Sequence, residues 1–415
     1  MRTTKQNDDS EPTVLFKAGL AAVKRRRRMT WGRETREFAG ELAELLADLG
    51  DSEIAGRAGV DLVAAFMRLD GHVFEHCDDS GGYVGDVFRY NARNLFRNFA
   101  ARCDDLPYVS DLVFDLVAAD EYGVRDGLLD DVSRYLPEPL IRRMIERFLA
   151  IPAAPDSFDT RGKLARVCVL ARQIGDVALF EKTVVELYGP DHPAGAADIA
   201  AAFLETGNPR GAIEFLSRVP DGVTFKRLER QELMFAALGQ LGMTEAQVEL
   251  GWKMLRQDRS RAALDRLLSV LGDEHRDAVI AGEAGAILAG PGFDFGDLAF
   301  LVNLGRFDDA ETYLCGRFDQ VDGYQYQFLA PLAKVMQKGG RALGSSLIYR
   351  ALLASILDRG TYAAYSSGAR YLRTLDKLSE SVSDWHGLPD HAAWRATLHT
   401  THARKSSFWA RYQGG

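Results

Sequence analysis

The chain has few cysteines and no long apolar run, and both absences narrow its class. Its four cysteines are scattered over 415 residues without a CxxC pair. This usage excludes a disulfide framework and fits a reducing compartment. No apolar run approaches the roughly 18 residues that cross a membrane, and the start of the chain is polar, unlike a signal peptide. We therefore expect a cytoplasmic protein that has no membrane partner.

Three common catalytic or nucleotide-binding motifs are also missing. The sequence contains no phosphate-binding GxxxxGK[ST] loop, no dinucleotide-binding glycine pattern and no GxSxG nucleophile turn. Serine, cysteine and histidine residues occur, but no spacing brings them together as a catalytic set. We expect a protein that is not an enzyme and that binds no cofactor or metal ion.

What the chain does contain is a globular composition with one concentrated charge. Hydrophobic residues make up 47% and charged residues 27%, so a large core can form. The net charge is −8, yet the stretch between Lys17 and Arg36 carries +7. The protein is therefore expected to be an acidic body with one basic patch near its start.

Helical periodicity runs through almost the whole sequence. Apolar residues recur at helical spacing in segments such as 38–49 and 84–99, whereas alternating strand-like runs are nearly absent. Short breaks carry helix-capping residues, including Asn208-Pro209 and a Thr244-x-x-Gln247 capping box. The pattern predicts an all-α fold of helices joined by tight turns.

Two junctions repeat one pattern. Gly207 and Gly305 are each followed by alanine five residues on, an aromatic residue eight on and leucine nine on, and Gly242 opens a looser copy. Glycine can end one helix in a left-handed conformation, and the small alanine lets the next helix approach. The pattern and its spacing resemble tetratricopeptide repeats, which predicts a right-handed α-solenoid of helical hairpins. Ordinary helical hairpins remain the alternative.

Composition divides the chain into four predicted parts. A disordered tail covers residues 1–13, a helical region with the basic patch covers 14–150, and the repeat-like body covers 151–382. A capping helix and a basic-aromatic tail cover 383–415. The boundary near 151 rests on a proline-rich stretch.

Three segments and an arginine-rich stretch carry a family resemblance. They are residues 76–88, residues 120–128, the arginine-rich residues 23–31, and residues 388–394 with Leu398, His402, Arg404, Lys405, Phe408 and Trp409. Together they resemble a bacterial family of helical, tetratricopeptide-like proteins of unknown function. The C-terminal tail is similar to that of SWIM zinc-finger-associated proteins, although the chain has no CxC…CxH ligands. The resemblance implies the fold and no activity. The family pattern also has a leading helical segment ahead of the position of Val14, which we expect this chain to lack.

The basic patch is the first candidate contact surface. Five consecutive cations precede an aromatic residue, and we expect the cations to lie on a helix: Lys24, Arg25, Arg26, Arg27, Arg28 and Trp31. They could neutralise phosphates while Trp31 stacks on a base. They could equally pair with an acidic protein, or with acids of this chain such as Asp48, Asp51 and Glu53. A solvated helix face is the third interpretation.

The C-terminal tail is the second candidate. His391, Trp394, Leu398 and His402 share one helical face, and the tail residues Arg404, Lys405, Phe408 and Trp409 follow. The simpler interpretation is a terminal helix that closes the hydrophobic core, as the last repeat of a solenoid must. Otherwise Arg404, Lys405 and Trp409 bind an anion or a partner carboxylate.

His72, Glu75 and His76 form an HxxEH sequence, the motif of inverted zinc proteases. On a helix the two histidines could ligate Zn²⁺ with Glu75 as the base. The turn that starts two residues after His76 suggests that the helix ends there, which favours helix-terminal histidines over a metal-dependent hydrolase. The acidic turns at Asp78–Asp79 and at Asp120 are interpreted as helix caps rather than cation sites.

The sequence therefore favours a helical-repeat scaffold or adaptor that binds an unknown protein partner. Nucleic-acid binding through Lys24 to Arg28 is the second hypothesis, and the hydrolase is the third.

Overall fold

A computed structural model describes residues 11–152 and 158–414 of the chain. The fold is all-α, as the periodicity predicted. In the described part of the chain, extended backbone pairs only at an isolated parallel bridge between Thr30 and Cys77. No helix among these residues combines the length and the apolar character that a membrane crossing needs.

The chain divides into two compact units, with the boundary between Ala237 and Leu238. The first unit contains α1 (Glu11–Arg25), α2 (Arg33–Gly50), α3 (Gly56–Met67), α4 (Asp70–Phe74), α5 (Tyr83–Asp86), α6 (Arg93–Ala100), α7 (Leu106–Ala118), α8 (Glu138–Ala150), α9 (Phe158–Gln173), α10 (Val177–Tyr188), α11 (Pro193–Glu205) and α12 (Pro209–Arg218). The boundary falls within α13 (Arg227–Gln240).

The second unit contains α14 (Thr244–Gln257), α15 (Arg261–Leu271), α16 (Arg276–Ala289), α17 (Phe295–Asn303), α18 (Phe307–Gly316), α19 (Tyr326–Lys338), α20 (Ala342–Asp358), α21 (Tyr365–Ser379), α22 (His391–His402) and α23 (Ser406–Gln413). Short 3₁₀ helices are Asp126–Arg134, Asp273–His275, Phe318–Gln320 and Tyr362–Ala364, and Val87–Ala92 is a π-helix.

Two helices are central because they are apolar on most sides. In the first unit α3 buries eight of its twelve residues. A side chain at Gly59 would collide with the Phe99 ring, so this glycine allows α3 and α6 to approach. In the second unit α20 buries most of its length, including Arg350. The predicted domain boundary near 151 lies inside the first unit, where one hydrophobic cluster extends from Phe16 to Leu170.

The predicted hairpin junctions are confirmed and prove more numerous. Gly207 and Gly305 adopt left-handed φ angles of 76° and 73°. In each case the next residue donates its N–H to a carbonyl five residues back, as in a Schellman motif. The same φ region and bonding occur at Gly242, which the sequence had also indicated, and at Gly175, Gly340 and Gly360. Only glycine adopts this conformation without a steric penalty.

The residues that follow these glycines fill the hairpins as expected. Ala212 and Ala310 are fully buried, and the aromatic rings of Phe215 and Tyr313 lie in the core. Asn208 caps α12 by accepting from the Gly211 N–H at 3.0 Å, which confirms that prediction.

Two sequence predictions meet a different local structure. The Thr244 capping box is wrong, because Thr244 is already the first residue of α14 and Met243 occupies the cap position. α1 begins at Glu11, within the segment assigned to the disordered tail. Residues 1–10 of that segment lie outside the described residues.

Candidate binding surface

The basic segment, defined as Lys24, Arg25, Arg26, Arg27, Arg28 and Trp31, is only partly helical. α1 ends at Arg25, so the expectation that all five cations lie on one helix is wrong. The physical reason is a tertiary contact. The Thr30 N–H donates to His76 O, and the Asp78 N–H donates to Thr30 O. This bridge holds the backbone extended at Thr30, so α1 cannot continue as a helix through that residue.

Three of the arginines are held by the first unit itself. Arg26 lies over the Phe38 ring, 3.9 Å from its centroid, and bonds Glu41 at 3.1 Å. Arg28 pairs with Glu34 at 2.9 Å. The acids suggested from the sequence, Asp48, Asp51 and Glu53, are not these partners.

Arg27 turns towards backbone and histidine rather than towards an acid. Its guanidinium donates to the carbonyls of Lys24 and Arg26 and lies 3.3 Å from Nε2 of His72. The positive charge of Arg27 therefore stabilises the local structure of the first unit.

Lys24, Arg25 and Arg28 are exposed, and so is the aromatic residue Trp31. Among residues 11–152 and 158–414 no acidic side chain forms an ion pair with Lys24 or Arg25. Arg28 keeps most of its side chain in solvent despite Glu34. Trp31 is 61% exposed, which is unusual for tryptophan. We refer to these four exposed residues together as the free face of the basic segment.

A groove adjoins this face. It lies between α1 and α2, encloses about 450 Å³, and has Phe38 and Leu42 among its lining residues. Arg25, Arg26 and Glu41 supply charged groups at the same groove. Apolar and charged groups in one depression suit a partner segment that is itself amphipathic.

The C-terminal tail is built into the second unit. The Trp409 indole donates to His402 O at 2.9 Å and packs on His399 and Phe408. Phe408 is fully buried against Tyr365. These contacts support the closing role of α23.

Among the predicted contact residues of the tail, Arg404 is exposed and Lys405 is half-buried. Trp409 is half-buried, with its indole N–H already bonded. Arg404 is therefore the tail residue most open to a partner.

His72, Glu75 and His76 do converge. One potential ligand atom from each lies within 4.8 Å of those of the other two. α4 ends at Phe74, as the following turn suggested, so the motif lies on a helix end rather than along a helix face. The imidazole rings of His72 and His76 face each other with centroids 4.5 Å apart.

Comparison with known proteins assigns the chain to one family. The model of a family of unknown function, DUF6880, matches residues 16–411. The chain belongs to the DUF6880 family. Neither the curated proteins nor the solved structures give a match. The matched range includes both the basic segment and Trp409.

The acidic turns of this DUF6880 chain are caps, as predicted. Asp79 accepts from the N–H groups of Val84 and Gly85 at 2.8 Å each, at the start of α5. Asp120 accepts from the Arg125 N–H at 2.7 Å and the Asp126 N–H at 3.1 Å, ahead of a 3₁₀ helix. These bonds satisfy backbone donors that have no helical partner.

Buried charged side chains at two places in the fold were not found from the sequence. Asp70 forms an ion pair with Arg125 in the first unit, and both side chains are almost fully buried. In the second unit the Arg350 guanidinium lies 3.8 Å from the Trp385 ring centroid and 4.9 Å from that of Trp394. Burial lowers the pKa of Arg350 to about 10. Nothing local marks these residues, since their partners lie far along the chain.

Proposed function

We propose that this DUF6880 protein is a protein-binding scaffold, whose α1–α2 groove and free basic face receive an acidic, amphipathic segment of a partner protein. The observation that carries the proposal is a groove whose lining combines the half-buried Val23 and Leu45 with the exposed Arg25, which directly follows the exposed Lys24. Within this proposal the protein is cytoplasmic and has no catalytic role.

The hairpin pattern supports a scaffold. Left-handed glycines at 175, 207, 242, 305 and 340 end helices at intervals near one or two 34-residue repeats. We infer that these hairpins are tetratricopeptide-like repeats of a right-handed α-solenoid. Such arrays expose a large surface relative to their length, and they use it to bind partners.

Charge and shape together favour a protein over a nucleic acid. A nucleic-acid surface gains affinity from many cations that each release counterions. Here Arg26 and Arg28 already bond Glu41 and Glu34, and the chain as a whole carries −8. An apolar groove contributes little to binding phosphates, whereas it can bury the apolar face of a peptide helix.

The test uses two labelled probes at two salt concentrations. One is an amphipathic peptide with glutamates on one face and leucines on the other, and the second is a single-stranded oligonucleotide of equal charge. We expect the peptide to bind and Lys24→Glu/Arg25→Glu to weaken it at least about 10-fold, since two attractive contacts become repulsive. Ala22→Glu, which places a carboxylate in the groove, should weaken it as well.

A matched control separates the groove from general electrostatics. Lys334→Glu/Lys338→Glu makes the same charge change on exposed residues of α19 and should leave peptide binding unchanged. Equal loss in the control would contradict a site at the groove. Tighter binding of the oligonucleotide, with a steeper salt dependence that the Lys24/Arg25 variant abolishes, would replace the scaffold by nucleic-acid binding.

A further inference from the structure

The histidine pair at the end of α4, His72 and His76, is not part of the proposed protein-binding groove. His72 and His76 are half-buried, Glu75 is exposed, and all three offer a ligand atom within 4.8 Å of one another. Two imidazoles and one carboxylate form the three-ligand set of open, three-protein-ligand zinc sites.

The backbone that carries these side chains is fixed from both sides. α4 is anchored through buried Asp70, which pairs with Arg125, and through buried Val73. His76 lies next to the bridge between Thr30 and Cys77, where its carbonyl accepts from the Thr30 N–H. The ligands therefore lie on a rigid frame rather than on a free loop, which a preorganised site requires.

One histidine already has its proton placed for metal binding. His76 Nδ1 lies 2.8 Å from His72 O. A carbonyl oxygen only accepts, so Nδ1 carries the hydrogen, and Nε2 of the neutral imidazole keeps its lone pair. A backbone carbonyl that orients a histidine through its other nitrogen is the usual outer partner of a metal ligand.

The second histidine, His72, has two competing hydrogen-bond partners. His72 Nε2 lies 3.2 Å from Val23 O and 3.3 Å from the Arg27 guanidinium. Bonding to Val23 O places the proton on Nε2 and leaves Nδ1 free for a metal, whereas a bond from Arg27 requires an unprotonated Nε2. Arg27 also repels a cation directly.

We propose that His72, Glu75 and His76 bind one divalent transition-metal ion, for which Zn²⁺ is the representative, and that Arg27 weakens this binding. Zn–N bonds of about 2.0–2.1 Å would place two tetrahedral ligand nitrogens about 3.4 Å apart. Rotation of the exposed Glu75 side chain and small shifts of the two imidazole rings bring the three ligand atoms, which now lie within 4.8 Å of one another, to this spacing. A solvent molecule completes the coordination, since the three residues leave a fourth position open.

The neighbouring thiol takes no part. The Cys77 side chain is buried, and its sulfur is not among the potential ligand atoms that converge.

The test measures Zn²⁺ binding to the full chain by competition with a chromogenic chelator, and Co²⁺ binding by visible absorption. We expect one Zn²⁺ per chain and the intense absorption of tetrahedral Co²⁺. His76→Gln should reduce affinity more than about 100-fold, beyond the effect of losing an outer partner. Arg27→Gln should tighten binding, an outcome that loss of folding cannot produce.

Two control variants define the site. His275→Gln removes a surface histidine beside Glu274 and should change nothing. Cys77→Ser should also leave affinity unchanged. Circular dichroism confirms that each variant is folded. Binding that survives both His72→Gln and His76→Gln, binding that Cys77→Ser abolishes, or no stoichiometric Zn²⁺ in the Arg27→Gln variant would overturn the proposal.

Discussion

The buried ion pair between Asp70 and Arg125 is expected to hold the first unit together at α4. Asp70 is 2% exposed, and its Oδ1 also accepts from the Gly71 N–H at 2.7 Å. The Arg125 guanidinium donates to Asp70 and to the carbonyls of Leu116, at 3.2 Å, and Ala119, at 3.4 Å. The pair thus ties α4 to the end of α7.

Asp70→Ala removes the negative partner and leaves a guanidinium in the core with two neutral acceptors. Breaking a buried pair in this way costs about 3–5 kcal/mol, because the remaining charge is uncompensated. Asp70→Ala/Arg125→Met removes both charges and keeps much of the side-chain volume. We expect the double variant to be more stable than Asp70→Ala, with a coupling energy of about 2–3 kcal/mol between the two sites.

Hydrogen exchange measured by mass spectrometry suits this question, because a chain of two units need not unfold in one step. Peptides that cover residues 70–77 and 106–118 report the opening free energy at the pair. The reasoning is refuted if Asp70→Ala lowers that free energy by less than about 1 kcal/mol. It is also refuted if the double variant loses as much stability as the sum of the losses in Asp70→Ala and Arg125→Met. Since α4 carries His72, Asp70→Ala should also weaken Zn²⁺ binding.

Further expectations concern other parts of the chain. Gly207→Ala should cost about 1–2 kcal/mol in thermal unfolding because φ is +76° there, whereas Gly222→Ala, with open space and no positive φ, should not destabilise. Alkylation of native Cys77 should still accelerate above pH 9, since burial raises its thiol pKa to about 11, and a plateau near pH 9 would contradict this. Phe408→Ala should cost about 3–5 kcal/mol and expose α23 to proteolysis, because the ring fills a site against Tyr365. Unchanged proteolysis would count against a closing role of α23.

Features that depend on a few neighbouring residues were predictable. The left-handed glycines at Gly207 and Gly305, the Asn208 cap and the Asp120 turn each involve hydrogen bonds that span six residues or fewer. Such bonds form wherever the local sequence permits them, so residue type and spacing are enough to find them. Thr244 is the exception, because α14 already begins at this residue and Met243, whose side chain forms no cap hydrogen bond, takes the cap position.

The basic segment shows where local reasoning fails. Lysine and arginine are good helix formers, so a continuous helix was the natural prediction. The bridge from Thr30 to Cys77 ends that helix three residues sooner, and its partner lies 47 residues along the chain. Likewise Arg26 pairs with Glu41 rather than with Asp48, Asp51 or Glu53.

The sequence alone determined that this protein is helical, where its hairpins turn and where its positive charge is concentrated, because periodicity and capping are local properties. Only the tertiary structure decided which cations remain free, that a groove runs beside them, and that His72 lies between Val23 and Arg27. Those relations depend on how α1, α2 and α4 pack together. Packing is a balance of many weak contacts between distant residues, and no short stretch of sequence encodes it.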